Sequence, residues 1–289
     1  MATATELDES ASVEMLKGIT IPPQPVVLQS VMLEQQRPDP DMQKIGSIIA
    51  KDISLSAAML RAANSPAFGL RQKVTSVSRA VLLLGARNTI SLVTGLVLRQ
   101  VMSPKGAPKG KLNLEVFWDN AADTALLCSF LAKHFRWIAP DHGHLLGLFH
   151  DCGIPLMMQR FPNYADVLRL GQVGVQEIAV SLEDQYFKTN HAVIGYIMAR
   201  SWCLPDDLRK VILHHHDGDV FTRSTDVSVS RAVALLSLAE HLSCLFKQED
   251  DSAVWAKIAE PLMEVLGVND DDVTELGKDA VDILSTSVA

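Results

Sequence analysis

His150 and Asp151 stand side by side at the end of the apolar run Leu145-Leu146-Gly147-Leu148-Phe149, and Cys152 and Gly153 follow them. An imidazole and a carboxylate at one helix end are two metal ligands in one place, the seed of a hydrolytic metal site. Further ligand types recur downstream: His191 after Thr189-Asn190, the run His214-His215-His216, and Glu240-His241 within a long apolar segment. Histidine is sparse here, nine in 289 residues, yet these fall where several helices could aim them at one point. A His-rich pocket containing carboxylates suits iron, manganese or zinc and would activate water against a phosphoester. Successive residues on a helix diverge by about 100°, so at least one of His214–His216 must turn outward. His134, His142 and His144 read as ordinary structural or surface histidines.

The segments that must position these groups are helical nearly throughout. Apolar residues at 42, 45, 48 and 49 give a first helix face, and Leu55, Met59, Leu60 and Ala63 give a second. A third helix is predicted over 76–84, capped by Ser76 and stopped by Gly85, and a fourth, well-buried one over 87–102. Residues 103–113, rich in Pro, Gly and Lys, read as a linker between two lobes. Beyond it come a helix over 116–135 and one running from Pro140 to Asp151, with Gly153 and Pro155 as punctuation. Helices follow near 162–170, 175–187, 190–203, 205–216 and 228–246, and two more in 252–286. Asn269-Asp270-Asp271-Asp272 lacks the spacing of a calcium loop and reads as an acidic helix start. The fold class is all-α.

Composition narrows the function. The chain is 48% apolar, 21% charged and only 6% aromatic, with a net charge of −8. That balance argues against sequence-independent binding to nucleic acid or an anionic membrane, each of which needs a basic face. No apolar run approaches the ~18 residues of a membrane span, and residues 1–12 lack the features of a signal peptide. A cytoplasmic protein is expected. Cys128, Cys152, Cys203 and Cys244 form no Cys-x-x-Cys pair, so reduced, mostly buried thiols are expected.

His150-Asp151-Cys152-Gly153 resembles the signature of the HD superfamily of metal-dependent phosphohydrolases. Ile21-Pro22-Pro23-Gln24-Pro25 resembles the Leu-Pro-Pro-Leu-Pro opening of its HDOD branch. Residues 52–65, Phe68-Gly69-Leu70 and the segment Val74–Gly85 are similar to the next HDOD elements. The likeness continues through Phe117-Trp118, His191, Leu204-Pro205 and Leu238-Ala239-Glu240, covering about residues 15–246. The resemblance implies an HD-type helical bundle preceded by an N-terminal helical lobe. It implies a disordered 1–14, a first lobe over 15–102, an HD-like lobe over 114–247 and C-terminal helices over 248–289. It also implies a bacterial signalling or regulatory role, in a two-component or cyclic-nucleotide pathway, through a partner protein or a nucleotide rather than turnover.

Against active HD enzymes the chain departs at several positions. Asn120 stands where they carry a histidine, and an amide oxygen is a poor transition-metal ligand. Ile154 replaces a lysine that meets substrate phosphate. Glu240 replaces the last metal aspartate, and Asp217-Gly218-Asp219-Val220-Phe221 stands in place of a Gly-Tyr-Pro element. The resemblance therefore implies no required cofactor. If a divalent ion binds, its ligands are His150, Asp151, His191 and His215, closed by Glu240, with Asn120, Ile154 and His216 in the pocket. The other reading of His150-Asp151 is a structural tie, in which carboxylate and imidazole satisfy one another between helices.

Overall fold

Burial of one apolar stripe per helix organises this chain. A computed structural model describes residues 16–64, 73–102, 113–172, 176–223 and 226–288. The expected disordered 1–14, the linker core 103–112, and Ser65, Phe68, Gly69 and Leu70 lie outside the described residues. Among those described there are helices and no strands: α1 (Val26–Gln35), α2 (Met42–Ile49), α3 (Ile53–Ala63), α4 (Val77–Met102), α5 (Leu114–Phe135), α6 (Pro140–Phe149), α7 (Gly153–Arg160), α8 (Tyr164–Gln172), α9 (Gln176–Phe187), α10 (His191–Ser201), α11 (Asp206–His214), α12 (Val220–Arg223), α13 (Val227–Lys247), α14 (Ser252–Leu266) and α15 (Asp270–Val288). The all-α class follows.

Pro23–Pro104 forms one compact unit. In it α1 packs on α2 and α4, and α4 on α2 and α3, around Leu28, Val31, Ile45, Ile49, Leu55 and Met59. The two helices expected over 76–84 and 87–102 are present within α4, separated at Gly85, whose φ of 75° and ψ of 169° lie outside the helical region. The sequence reading missed α1, whose exposed Val26 and Leu33 blur its buried stripe of Leu28 and Val31. Asn64 does more than cap α3. Its amide nitrogen donates to Leu60 O and Val74 O (both 2.8 Å), and its oxygen accepts from Val74 N (2.7 Å).

The second unit holds α5–α14, α15 as far as Leu284, and also residues 16–22, which the sequence reading assigned to the first lobe. Trp202 Nε1 donates to Pro22 O (2.9 Å), Arg160 Nε donates to Lys17 O (3.0 Å), and Leu16 and Ile21 pack on Tyr196 and Ile197. Trp202 is fully buried edge-on against Phe149, with ring centroids 5.8 Å apart. Burying each such ring contributes roughly 1.5–3 kcal/mol. α13 is long and apolar enough to cross a bilayer, but 72% of its apolar window is buried inside the protein, so it is the core helix of this unit. Pro155, expected to break the chain, sits in the first turn of α7, where the missing N–H has no intrahelical partner to lose. The acidic start of α15 is a cap: Asn269 Oδ1 accepts from Asp271 N and Asp272 N, and Asp272 Oδ2 accepts from Asn269 N. All four cysteines are free. Cys128 and Cys152 are buried, Cys244 is half-buried and Cys203 is exposed.

Candidate metal centre

α6 lies close against α5 because Gly147 has no side chain: an added Cβ would stand 2.5 Å from Ala125 Cα. His150 continues the helical conformation as the C-cap of α6, and its N–H reaches Leu146 O. Asp151 and Cys152 turn the chain, and Gly153 starts α7 against the first turn of α10. Asn190 fixes where α10 begins. Its side chain accepts from Val193 N (2.9 Å) and donates to Asp184 Oδ1 (2.9 Å), so His191 is the first helical residue. His215 and His216 follow the end of α11. His214 turns away from them toward Asp217 (3.6 Å), the one outward member of the run.

The imidazoles share an orientation. His150 Nδ1 donates to Gly147 O (2.8 Å) and His215 Nδ1 to Ile212 O (2.6 Å). A carbonyl only accepts, so each Nδ1 carries the proton and each Nε2 of the neutral ring keeps its lone pair. Those Nε2 atoms face Asp151. Its Oδ1 lies 3.3 Å from His215 Nε2 and 3.4 Å from His191 Nε2, and its Oδ2 lies 3.3 Å from His150 Nε2. His216 Nε2 is 2.8 Å from His191 Nε2. One ligand atom each from Asp151, His191, His215 and His216 lies within 4.8 Å of all the others. On the other side of the Asp151 carboxylate, His150 Nε2 also meets Glu240 Oε1 (3.4 Å).

Charge and burial compete here. Burial opposes charge on His150, but Asp151 and Glu240 outweigh it and hold the imidazole well above its ordinary value. Burial pushes the Asp151 carboxyl up, yet His150, His215 and His191 hold it well below the usual range. His216 goes the other way: burial, then His215 and His191, keep it neutral. Its Nδ1 is buried without a hydrogen-bond partner. A half-buried, neutral imidazole with its Nδ1 sealed from solvent, crowded against another imidazole and a carboxylate, is poorly satisfied by protein alone. Three nitrogens and one carboxylate oxygen are a donor set that zinc, iron or manganese accepts, so the residues present fit such an ion.

Asn120 and Ile154 bring no donor to this cluster. Asn120 Oδ1 accepts from Lys247 Nζ (2.9 Å), and the same ammonium donates to Ser243 Oγ (3.0 Å) and pairs with Asp123 (2.9 Å). Ile154 is a buried apolar side chain. Two residues escaped the sequence reading. Glu183, fully buried, accepts from His191 and from Tyr164. Its signal was there: Val180, Glu183 and Phe187 share one buried face of α9, and a carboxylate in an apolar stripe needs a partner. Lys247 gave no such signal.

A family model described as the HDOD domain matches residues 21–218. An uncharacterized protein of Treponema pallidum (strain Nichols) is 26% identical over 198 residues, which are 66% of this chain and 37% of that protein. The cyclic di-GMP phosphodiesterase CdgJ of Vibrio cholerae is 24% identical over 161 residues, 53% of this chain and 35% of that protein. The chain thus spans a little over a third of the length of each. Among solved structures, an HDOD domain protein from Geobacter sulfurreducens superposes with a TM-score of 0.75 at 22% identity, covering 95% of both chains. That likeness establishes the fold, and the family match spans most of the chain together with the His150-Asp151 turn and His191: the chain belongs to the HDOD domain family.

Proposed function

We propose that this chain is a signal-transduction module that works by binding a partner protein or nucleotide, and that its HD-like lobe holds a divalent cation without turning over a substrate. The observation that carries this reading is the pairing of two facts about one pocket. The Nε2 atoms of His191 and His215 are preset toward Asp151, while Asn120 is tied to Lys247 and the position after Gly153 is the apolar Ile154. The donors suffice for one cation, with Asp151, His191, His215 and His216 as its ligands. His150 and Glu240 flank it through the second oxygen of Asp151. When bound, such an ion would supply Lewis-acid polarisation of a phosphate oxygen. Hydrolysis needs further positive charge where negative charge develops, and Ile154 offers none.

Apart from residues 16–22, which pack with the second unit, the working domain plan is a first lobe over 15–102, an HD-like lobe over 114–247 and C-terminal helices over 248–289. A place in a cyclic-nucleotide or two-component pathway draws support from relatives alone. CdgJ acts on cyclic di-GMP, and a Marinobacter aquaeolei protein assigned to signal transduction shares the fold with a TM-score of 0.71. The second reading, a metal-dependent phosphohydrolase, is favoured by the partly buried, nitrogen-rich ligand set itself.

The test is the metal content of protein purified without an affinity tag or added metal, paired with a phosphodiesterase and phosphomonoesterase screen. About one equivalent of a divalent transition metal per chain, without turnover, is the expected result. Turnover that Asp151→Ala abolishes would establish the enzyme instead.

A further inference from the structure

Glu183 is the most completely buried carboxylate in the described part of the second unit, and its hydrogen bonds with His191 and Tyr164 are all accepted ones. Oε2 accepts the backbone N–H of His191 (2.7 Å), and both oxygens lie 2.9 Å from His191 Nδ1. Oε1 also accepts the Tyr164 hydroxyl (2.7 Å), and that hydroxyl is itself fully buried. From these contacts we propose that Glu183 is a positioning residue: braced by Tyr164, it locks His191 in the Nδ1-protonated tautomer and presents Nε2 to the Asp151 cluster.

An ionised carboxylate has no proton to give, so the hydrogen between it and His191 Nδ1 belongs to the ring. Nε2 of the neutral ring then keeps its lone pair, facing Asp151 Oδ1 and His216 Nε2. The other two inward imidazoles reach the same tautomer through main-chain carbonyls, at Gly147 and Ile212. His191 opens a helix, so no carbonyl of a preceding turn lies beneath its ring, and a side chain from α9 has to supply the acceptor. Fold stability alone gives little reason for a charge there. Val180 and Phe187 share the stripe, and an apolar residue would complete it at less desolvation cost. A carboxylate behind a ligating histidine also raises the basicity of the metal-facing nitrogen, and its removal typically costs 10–100-fold in metal affinity.

The inference rests on the proposed metal reading for its purpose, but its tautomer can be tested without metal. Long-range nitrogen–proton correlation spectra of the full, metal-free chain at alkaline pH give the protonated ring nitrogen of His191. Zinc titration against a chromophoric chelator gives affinity in parallel. In the unmodified protein His191 should carry its proton on Nδ1. In Glu183→Gln one amide oxygen has to serve three donors, so Nε2-protonated ring should appear and zinc affinity should fall 10–100-fold with the far-ultraviolet circular dichroism unchanged. Tyr164→Phe, which removes only the brace, should shift both readouts in the same direction by less, and it serves if Glu183→Gln does not fold. An Nε2-protonated His191 in the unmodified protein, or variants matching it in both tautomer and affinity, would overturn the proposal. If the unmodified chain binds no zinc while His191 stays Nδ1-protonated and responds to Glu183→Gln, the positioning role stands and the metal reading falls.

Discussion

Gly153 packs so tightly on the main chain of His191 that an added Cβ would stand 2.0 Å from the His191 carbonyl oxygen. This contact brings the His150-Asp151 turn to the first residue of α10 and so joins two ligands 40 positions apart. Because the obstruction is backbone, no rotamer change relieves it. Gly153→Ala should destabilise the protein by about 1–3 kcal/mol and weaken zinc binding at least tenfold. Urea unfolding and zinc titration on the same variant check both.

The cluster predicts a pH dependence with two limbs in metal-free protein. Asp151 is depressed, so its contribution is present above its ordinary 3.8 and is lost as pH falls toward the lower folded value. His150 is raised, so its contribution is complete below 6.5 and is lost as pH rises through the higher folded value. Asp151→Asn should flatten both limbs. Zinc should protect mainly on the alkaline side, since ligand imidazoles must be deprotonated to bind. Melting temperatures across the pH range, with and without zinc, read this out.

Glu34 makes a separate prediction in the first unit. Its Lys44 partner, aided by Arg37 and the Asp41 N–H and opposed by burial, holds the carboxyl down at about 2 from the usual 4.5. The resulting stability is present above 4.5 and disappears as pH falls to about 2. Glu34→Gln should leave a smaller loss of stability between those limits, measured by acid titration of the circular dichroism signal.

Trp202→Phe removes the hydrogen bond to Pro22 O while keeping an aromatic ring in the core. The expected cost is about 0.5–1.5 kcal/mol, with faster proteolysis within residues 16–22 as the local signature. A protease time course followed by mass spectrometry locates the cut. Unchanged cleavage in that segment would mean that the indole contact does not hold it.

How much of this was legible depended on the range over which each feature is encoded. α5 and α13 were readable because Ala121, Ala125, Cys128 and Leu131, or Val229, Val233 and Leu236, repeat at helical spacing. α7 was not, since Pro155 reads as a breaker until its place in the first turn is known. His216 Nε2 lies among the candidate ligand atoms of Asp151, His191 and His215, while His150 and Glu240 pair beside them. A run of histidines at a helix end gives the ligand type but not which member turns inward.

The sequence by itself determined the all-α class, the helix-ending His150-Asp151 pair and the residue types available for a site. These are written in neighbouring positions, through apolar periodicity and local turn chemistry. Only the tertiary structure decided that Asp151 divides its two oxygens between His150 on one side and His191 and His215 on the other. It alone decided that Lys247 occupies Asn120 from 127 positions away, and that Glu183 turns inward to hold His191. Pairings of this kind depend on which helices share a dry volume, and that is fixed by close contacts such as Gly147 on Ala125 and Gly153 on His191.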